Sequence, residues 1–361
     1  MNIVHVVWNS EFGGIQRFVS DICDISKNRG HNVKIIFCRY SGGFRAQFSN
    51  GKIDCVDLKM ARGYSFSKSV YDSIIEETNE ADVIHLHDFN PFIAAVLIYR
   101  VRRPIVFTEH GNFVIDRSTR LVERFSAVLY RLILRSAKVV LVANSQYTKS
   151  YALNIYGKLY EKAGVIYNGV KIKKEKRDEM LQYEKFNVLL LGRVVKQKGF
   201  QRVLRLLPEL KMLMGDINIH VVGDGPYKGE LVRLVEKMGM KDYVVFMGYQ
   251  SDIEKYIYQA SMIIVPSVGE PFGLVAIEAL ALGKRIAVYS DGGGLVEIAS
   301  MLPYKSIACD DSEMIELIFE EYNNRGNSST AAVSKEIAKQ FSLELMFKRY
   351  SVVYERACRK D

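Results

Sequence analysis

Two carboxylates and two cations carry most of the chemistry that this sequence can offer. Glu270 and Glu278, with seven residues between them, flank a stretch that includes Pro271-Phe272-Gly273-Leu274. That stretch reads as a strand end, a turn from Gly269 to Gly273 whose backbone amides are left open, and a helix stopped by Gly283. Amides at such a helix start suit an anion or a polar sugar. Glu278 falls in the apolar run Leu274 to Leu282, where an unpaired carboxylate is costly to bury. Its partner is either the vicinal hydroxyls of a ribose or a salt bridge within the fold. Arg193 and Lys198 lie in Gly192-Arg193-Val194-Val195-Lys196-Gln197-Lys198-Gly199, between a strand and a helix. An arginine fork and a compact ammonium on one flexible turn are the groups that stabilise a departing diphosphate. Lys196 reads as a solvated neighbour.

Further segments have the same strand-to-helix placement. Gly13-Gly14 follows the first strand-like run, where small residues let backbone amides approach a phosphate; Gln16, two positions on, is assigned no role. Gly223-Asp224-Gly225-Pro226-Tyr227-Lys228 fails the dinucleotide fingerprint, because Lys228 occupies the third glycine position and Gly229 comes one residue late. His110 ends the strand that carries Thr108-Glu109. In Val83-Ile84-His85-Leu86-His87, His87 is placed towards an acceptor and His85 is expected to point the opposite way and be packed. No Asp-x-Asp triplet occurs, so no divalent metal is implied.

The ordered series of these segments resembles retaining glycosyltransferases of family 4, whose signature is a pair of glutamates separated by seven residues. Gly13-Gly14, Thr108-Glu109-His110-Gly111, Asn144-Ser145, Asn168-Gly169-Val170, Gly192-Arg193 with Lys198-Gly199, and Gly223-Asp224-Gly225-Pro226 all agree with that family in order and spacing. The resemblance implies the GT-B fold and a nucleotide-diphosphate sugar as donor, with UDP-sugars favoured and GDP-sugars allowed. It implies that Arg193 and Lys198 bind the diphosphate, that His110 contacts the donor sugar near its reacting carbon, and that Gly13 and Gly14 close on the donor from the opposite domain. Gly223 and Gly225 would lie near the nucleotide, and Glu270, Phe272, Gly273, Leu274 and Glu278 would line the donor site. A hydroxyl of a glycan or lipid-linked molecule would be the acceptor. An epimerase or phosphorylase of the same fold, a transferase for a small soluble acceptor, and a catalytically silent sugar- or membrane-binding module are the other readings.

The elements that must position these residues follow from patterning. Short β-branched runs alternate with helical patterns, which argues for parallel sheets covered by helices on both faces. Strands are expected near 3–8, 33–38, 83–86, 105–108, 139–142, 165–167, 187–191, 218–222, 244–247, 262–265 and 286–288. Helices are expected near 15–29, 67–79, 91–100, 120–136, 145–155, 200–214, 227–238 and 274–282. At 361 residues the chain is long enough for two cores. The division reads as 1–170 for an acceptor-facing Rossmann-like domain, 171–185 for a Lys- and Glu-rich linker and 186–340 for a nucleotide-sugar-binding domain. Residues 341–361 would form a helix that returns to the first domain, a crossing taken from the resemblance. Two doubly wound domains of this kind place ligands at the carboxyl ends of their strands, in a cleft between them.

Charge is unevenly placed. The net +9 resolves into +7 over residues 1–170, from 22 basic and 15 acidic side chains, and +2 over the remainder. The first half is therefore expected to meet something acidic. Arg117, Arg120, Arg124, Arg131 and Arg135 recur at helical steps beside Leu121, Phe125, Val128, Leu129 and Leu132, which suits either an anionic membrane surface or an ordinary solvated helix. No RNA-binding motif is present, so nucleic acid is not expected as a partner. The opening Ile3 to Trp8 run lacks the pattern of a secretory leader, and the longest apolar run falls far short of the ~18 residues of a membrane span. A cytoplasmic protein, peripheral at most on the inner membrane face, is the expectation. The five cysteines are odd in number and unclustered, and read as buried thiols.

Overall fold

A computed structural model describes residues 1–10, 13–39, 53–60, 67–87, 90–111, 128, 130–172, 185–324 and 328–359. The chain divides into two compact units, Met1–Gly169 with Leu343–Asp361, and Val170–Ser342. The expected linker falls mostly on 173–184, outside the described residues.

The first unit is built on a seven-stranded, wholly parallel sheet. Its strands are β1 (Asn2–Asn9), β2 (Asn32–Arg39), β3 (Asp54–Asp57), β4 (Val83–Leu86), β5 (Ile105–Glu109), β6 (Val139–Ala143) and β7 (Gly164–Val165), in the order β3-β2-β1-β4-β5-β6-β7. The order reverses between β1 and β4, where Ile3 pairs with Val83 and His5 with His85. Helices cover both faces. Helix α1 (Gly14–Asn28) contributes Phe18, Val19 and Ile22 to the core formed with Ile3, Val7, Val83, Val106 and Val142. Helix α2 (Lys68–Thr78), helix α3 (Pro91–Arg100) and helix α4 (Gln146–Tyr156) pack with Val4, Val6, Ile84, Leu86 and Phe107, the residues that alternate with that set. Local chemistry fixes where two of these helices begin. The Asn90 side chain accepts from the amides of Phe92 and Ile93 with Pro91 at the first helical position, and Ser145 accepts from the amide of Thr148.

The second unit carries a six-stranded parallel sheet. Strands β8 (Phe186–Leu191), β9 (Ile217–Val222), β10 (Val244–Gly248), β11 (Met262–Val265), β12 (Ile286–Tyr289) and β13 (Ile307–Ala308) lie in the order β10-β9-β8-β11-β12-β13. Here the reversal falls between β8 and β11. Helices α5 (Phe200–Met214), α6 (Lys228–Lys237), α7 (Glu254–Gln259), α8 (Leu274–Ala281), α9 (Gly294–Ala299), α10 (Asp311–Asn323) and α11 (Ser328–Lys339) complete the unit. Strand β8 is buried along its whole length, as a central strand covered on both faces must be.

Helix α12 (Leu343–Cys358) belongs to the first unit. Its Leu343, Met346, Tyr350, Tyr354 and Ala357 join the core under α1. Strands β3 and β13 and helices α7, α9, α10 and α11 are absent from the sequence expectations, being short or weakly periodic. The cysteines also depart from expectation. Cys23 and Cys38 are buried, Cys55 and Cys358 are half-buried, and Cys309 is exposed because it sits in the turn ahead of α10.

Candidate active site

In the second unit the loops that follow β8 and β11 lie side by side at the reversal of strand order, the position where open α/β sheets take ligands. They are stitched together by backbone contact. The Val268 amide donates to the Gln197 carbonyl at 2.9 Å, and the Gln197 side chain donates back to the Val268 carbonyl at 3.3 Å. Gly199, at φ +71°, packs so closely on the end of β11 that a Cβ there would meet the Pro266 carbonyl oxygen at 2.0 Å. Across this seam Lys198 Nζ bonds Glu270 Oε2 at 2.7 Å, with both side chains largely covered. Arg193, on the same loop as Lys198, is exposed and has no carboxylate partner among the described residues.

Glu270 is held through its main chain. Its amide donates to the Gly292 carbonyl at 3.2 Å and its carbonyl accepts from the Gly294 amide at 2.7 Å, while the Gly269 amide donates to the Asp291 carbonyl at 2.8 Å. The turn amides at 269 and 270, expected to be open for an anion, are therefore engaged by the loop after β12. A glycine is needed there, since a Cβ on Gly294 would lie 2.4 Å from the Pro271 carbonyl oxygen. Gly273, at φ +105°, starts α8 and leaves room for Leu295, whose Cδ2 would be 2.1 Å from a Cβ. Phe272 is buried edge-to-face against Phe341. Leu274 opens α8, and Glu278 lies one turn on, half-buried.

Gly223 and Gly225 have a structural reason of their own. Their loop presses on the one that carries Arg193, so that a Cβ would meet the Gly192 oxygen at 1.9 Å or the Val194 oxygen at 2.4 Å. The Val194 amide donates to the Asp224 carbonyl at 2.9 Å and the Tyr227 amide to the Val194 carbonyl at 3.1 Å. Asp224 accepts from the Gly225 amide and from Lys228, which holds its carboxyl below the usual range.

In the first unit the polar side chains gather at the β1/β4 reversal and on β5. His5 Nδ1 lies 2.9 Å from His87 Nε2, and His87 Nδ1 lies 3.2 Å from His110 Nε2. His85 is bonded at both nitrogens, to the Tyr354 hydroxyl and to Thr108 Oγ1, each at 2.7 Å. The expectation that His85 points away from His87 is overturned. Residues two apart along a strand share a face, and the two rings stand 3.9 Å apart. All four imidazoles are buried. Burial pushes His5 and His110 down to about 3, and His85 and His87 well below the ordinary histidine range. Nitrogens of His5, His85 and His87 come within 4.8 Å of one another, close enough to suggest a metal. Those of His85 and His87 are nevertheless committed to hydrogen bonds, so the group is a bonded network.

Sequence reasoning passed over Glu109. Its buried carboxylate accepts from the Gly111 amide at 3.0 Å and from the Tyr130 and Tyr160 hydroxyls at 2.8 and 3.3 Å, which fixes the backbone on both sides of His110. A carboxylate at the end of a buried strand was the available signal. Gly13 caps α1, and Gln16, left without a role, is buried with its amide donating to Asn9 Oδ1 at 2.8 Å, which ties α1 to the end of β1. Gly14 is open, with nothing within 4 Å of where its Cβ would be. Of the basic stripe, Arg117, Arg120 and Arg124 lie outside the described residues. Arg131 turns inward to donate to the Ile155 carbonyl at the end of α4, while Arg135, Val128 and Leu132 are exposed. A surface hollow of about 380 Å³ between Met1, Asp82, Pro104 and Glu355 lies at the opposite, amino edge of this sheet, remote from the histidines.

Comparison with known families agrees with this geometry. Residues 12–174 match the model described as Glycosyltransferase Family 4, and residues 171–316 match Glycosyl transferases group 1. The chain belongs to glycosyltransferase family 4. Among its relatives, an uncharacterized glycosyltransferase of Methanocaldococcus jannaschii, MJ1607, is 31% identical over 240 residues, 60% of this chain and 59% of that protein. An uncharacterized 41.2 kDa protein in the cps region of Klebsiella pneumoniae is 27% identical over 326 residues, 83% of this chain and 84% of that one. Anabaena HepE, solved in complex with UDP and with UDP-glucose, superposes with TM-scores of 0.81 and 0.79 at 20% identity, covering 99% of this chain and 100% of HepE. The family 4 chain thus has the GT-B fold. No helix among its described residues is long and apolar enough to cross a membrane.

Proposed function

We propose that this family 4 enzyme transfers a hexose or N-acetylhexosamine from a nucleotide-diphosphate sugar to a hydroxyl of a glycan or lipid-linked acceptor, with retention at the anomeric carbon and without a catalytic metal. The reading rests chiefly on the Lys198–Glu270 contact of 2.7 Å at the β8/β11 reversal, with Arg193, which has no carboxylate partner among the described residues, on the same loop. Arg193 and Lys198 would bind the diphosphate and neutralise the charge that develops on it. When Lys198 turns to phosphate, Glu270 is released to accept from sugar hydroxyls, and Glu278 would accept from the ribose. Gly13, Gly14, Gly223, Gly225, Phe272, Gly273 and Leu274 would shape the donor site, and His110 would contact the sugar near its reacting carbon.

In the transfer step the bond from the anomeric carbon to the diphosphate breaks as a bond to the acceptor oxygen forms on the same face. The acceptor proton passes to the departing phosphate oxygen, so no protein base is required. A UDP-sugar is the favoured donor because HepE was solved with UDP-glucose. Capsule or lipopolysaccharide assembly is the favoured setting, since a relative lies in the cps region of Klebsiella. A panel of UDP- and GDP-sugars, screened by thermal shift and then incubated with glycan and lipid-linked acceptors, tests the reading. Transfer with an α-linked product from an α-linked donor, undiminished by EDTA, is expected. An inverted anomer, or activity lost to EDTA and restored by one divalent ion, would overturn it.

A further inference from the structure

The three imidazoles of His5, His87 and His110 form a line of hydrogen bonds whose protons cannot be chosen independently. Their ring centroids stand 5.2 and 5.4 Å apart, while the facing nitrogens stand 2.9 and 3.2 Å apart. Each separation leaves little more than a ring radius on either side of the contact, so the nitrogens face each other along the line of the rings. Burial keeps all three rings neutral, with one N–H and one bare nitrogen each. Every N···N contact must hold one proton. If His87 carries its proton on Nδ1, His110 Nε2 is bare and its proton is on Nδ1, and His5 must donate from Nδ1. If His87 is protonated on Nε2, all three rings are protonated on Nε2. No mixed arrangement satisfies both contacts.

His5 decides between the two. It is wholly buried, and its Nε2 has no hydrogen-bond partner among the described residues. The Nε2-protonated arrangement would strand an N–H donor in the core, and orphaned buried N–H groups are rarer than under-satisfied acceptors. The Nδ1-protonated arrangement leaves only a lone pair there. At the other end of the line, nothing among the described residues bonds His110 Nδ1. The neighbours hold the line in place. Phe18 meets the rings of His87 and His110 edge-on, and His85, packed against His87, is tied to Tyr354 and Thr108.

We infer that His5 and His87 are positioning residues that lock His110 in its Nδ1–H tautomer, so that it meets the substrate as a hydrogen-bond donor to a sugar oxygen and not as a base. The substrate part of this inference rests on the transferase reading; the proton arrangement does not. Long-range ¹H–¹⁵N correlation spectra of the ligand-free protein labelled at the histidine rings report each tautomer directly. Protonated Nδ1 and bare Nε2 are expected for His5, His87 and His110. A proton on Nε2 of His110 would overturn the assignment whatever the activity proves to be. His5→Asn keeps a donor near the Nδ1 position and is expected to preserve the His110 signature and near-normal turnover. His5→Asp puts a carboxylate acceptor where the donor stood. It should draw the His87 proton to Nε2, turn His110 to its Nε2–H tautomer and lower kcat by roughly tenfold, with the donor KM little changed. An unaltered His110 spectrum in folded His5→Asp would show that His5 does not set the tautomer. Transfer absent with every donor, alongside the expected spectra, would overturn the transferase reading and leave the proton line standing.

Discussion

Lys198 has two partners to serve: Glu270 in the ligand-free chain and, in the proposed reaction, the departing diphosphate. Lys198→Ala therefore removes charge stabilisation and strands Glu270, whereas Arg193→Ala removes charge alone. Each variant is expected to lose about 10²-fold or more in kcat. Folded variants that keep normal turnover would remove both residues from the reaction. The buried imidazoles have a consequence for stability at acid pH. Their pKa values are lowered in the folded chain, to about 3 for His5 and His110, while the unfolded chain titrates near the ordinary value. The unfolded state thus binds protons that the folded state cannot, and stability present above the unfolded pKa is lost as pH falls towards the folded values. At one pH unit below the unfolded value each such ring costs about 1.4 kcal/mol. The denaturation midpoint at pH 5.5 should fall clearly below that at pH 7.5. An unchanged midpoint would mean that the rings take up protons without unfolding.

At the scale of elements, the site depends on loops in backbone contact, and glycines set the distance between them. Gly199→Ala would drive a Cβ to 2.0 Å from the Pro266 oxygen at a positive φ, so the seam between the β8 and β11 loops must open. A loss of at least ~2 kcal/mol is expected, with turnover falling because Lys198 moves with the loop. Gly30→Ala also sits at positive φ, +83°, but meets nothing within 4 Å. It should cost only about 1 kcal/mol and leave activity intact. Equal melting temperatures for the two variants would contradict the seam. Such loops also mark how far the sequence could be read. The strands of both sheet centres were legible because buried parallel strands are near-continuous apolar runs, and the Arg193, Lys198 and Glu270 loops were legible because their residue types announce charge. The pairing of Glu270 with Gly292 and Gly294 was not, because it joins main chain to main chain across more than twenty residues with no side-chain signal. The histidine line was hidden for another reason. His5 lies on β1, His87 follows β4 and His110 follows β5, and only the register of β1 on β4, which sets His5 beside His85, brings the first two together.

At the scale of the whole molecule, the uneven charge is the property with a consequence outside the site. The first 170 residues carry +7 of the net +9. In the same unit Val128 and Leu132 are 50% and 56% exposed, one helical turn apart, with Arg135 exposed beyond them and Tyr99 70% exposed on α3. Apolar side chains flanked by arginines suit a surface of anionic lipid, which would also present a lipid-linked acceptor to the enzyme. Arg131 is withdrawn from that role by its bond to the Ile155 carbonyl, so the attraction must come from Arg135 and from Arg117, Arg120 and Arg124. Each well-placed basic side chain is worth on the order of 1 kcal/mol at such a surface, and salt weakens it. The chain is therefore expected to cosediment with vesicles rich in anionic lipid at low salt, to be released at high salt, and to ignore neutral vesicles. Replacing Arg117, Arg120 and Arg124 with Ser should abolish most of the binding while leaving transfer to a soluble acceptor analogue unchanged. Equal partitioning of the wild type and the variant, or none by either, would mean that the arginines form an ordinary solvated face and that the acceptor arrives from solution.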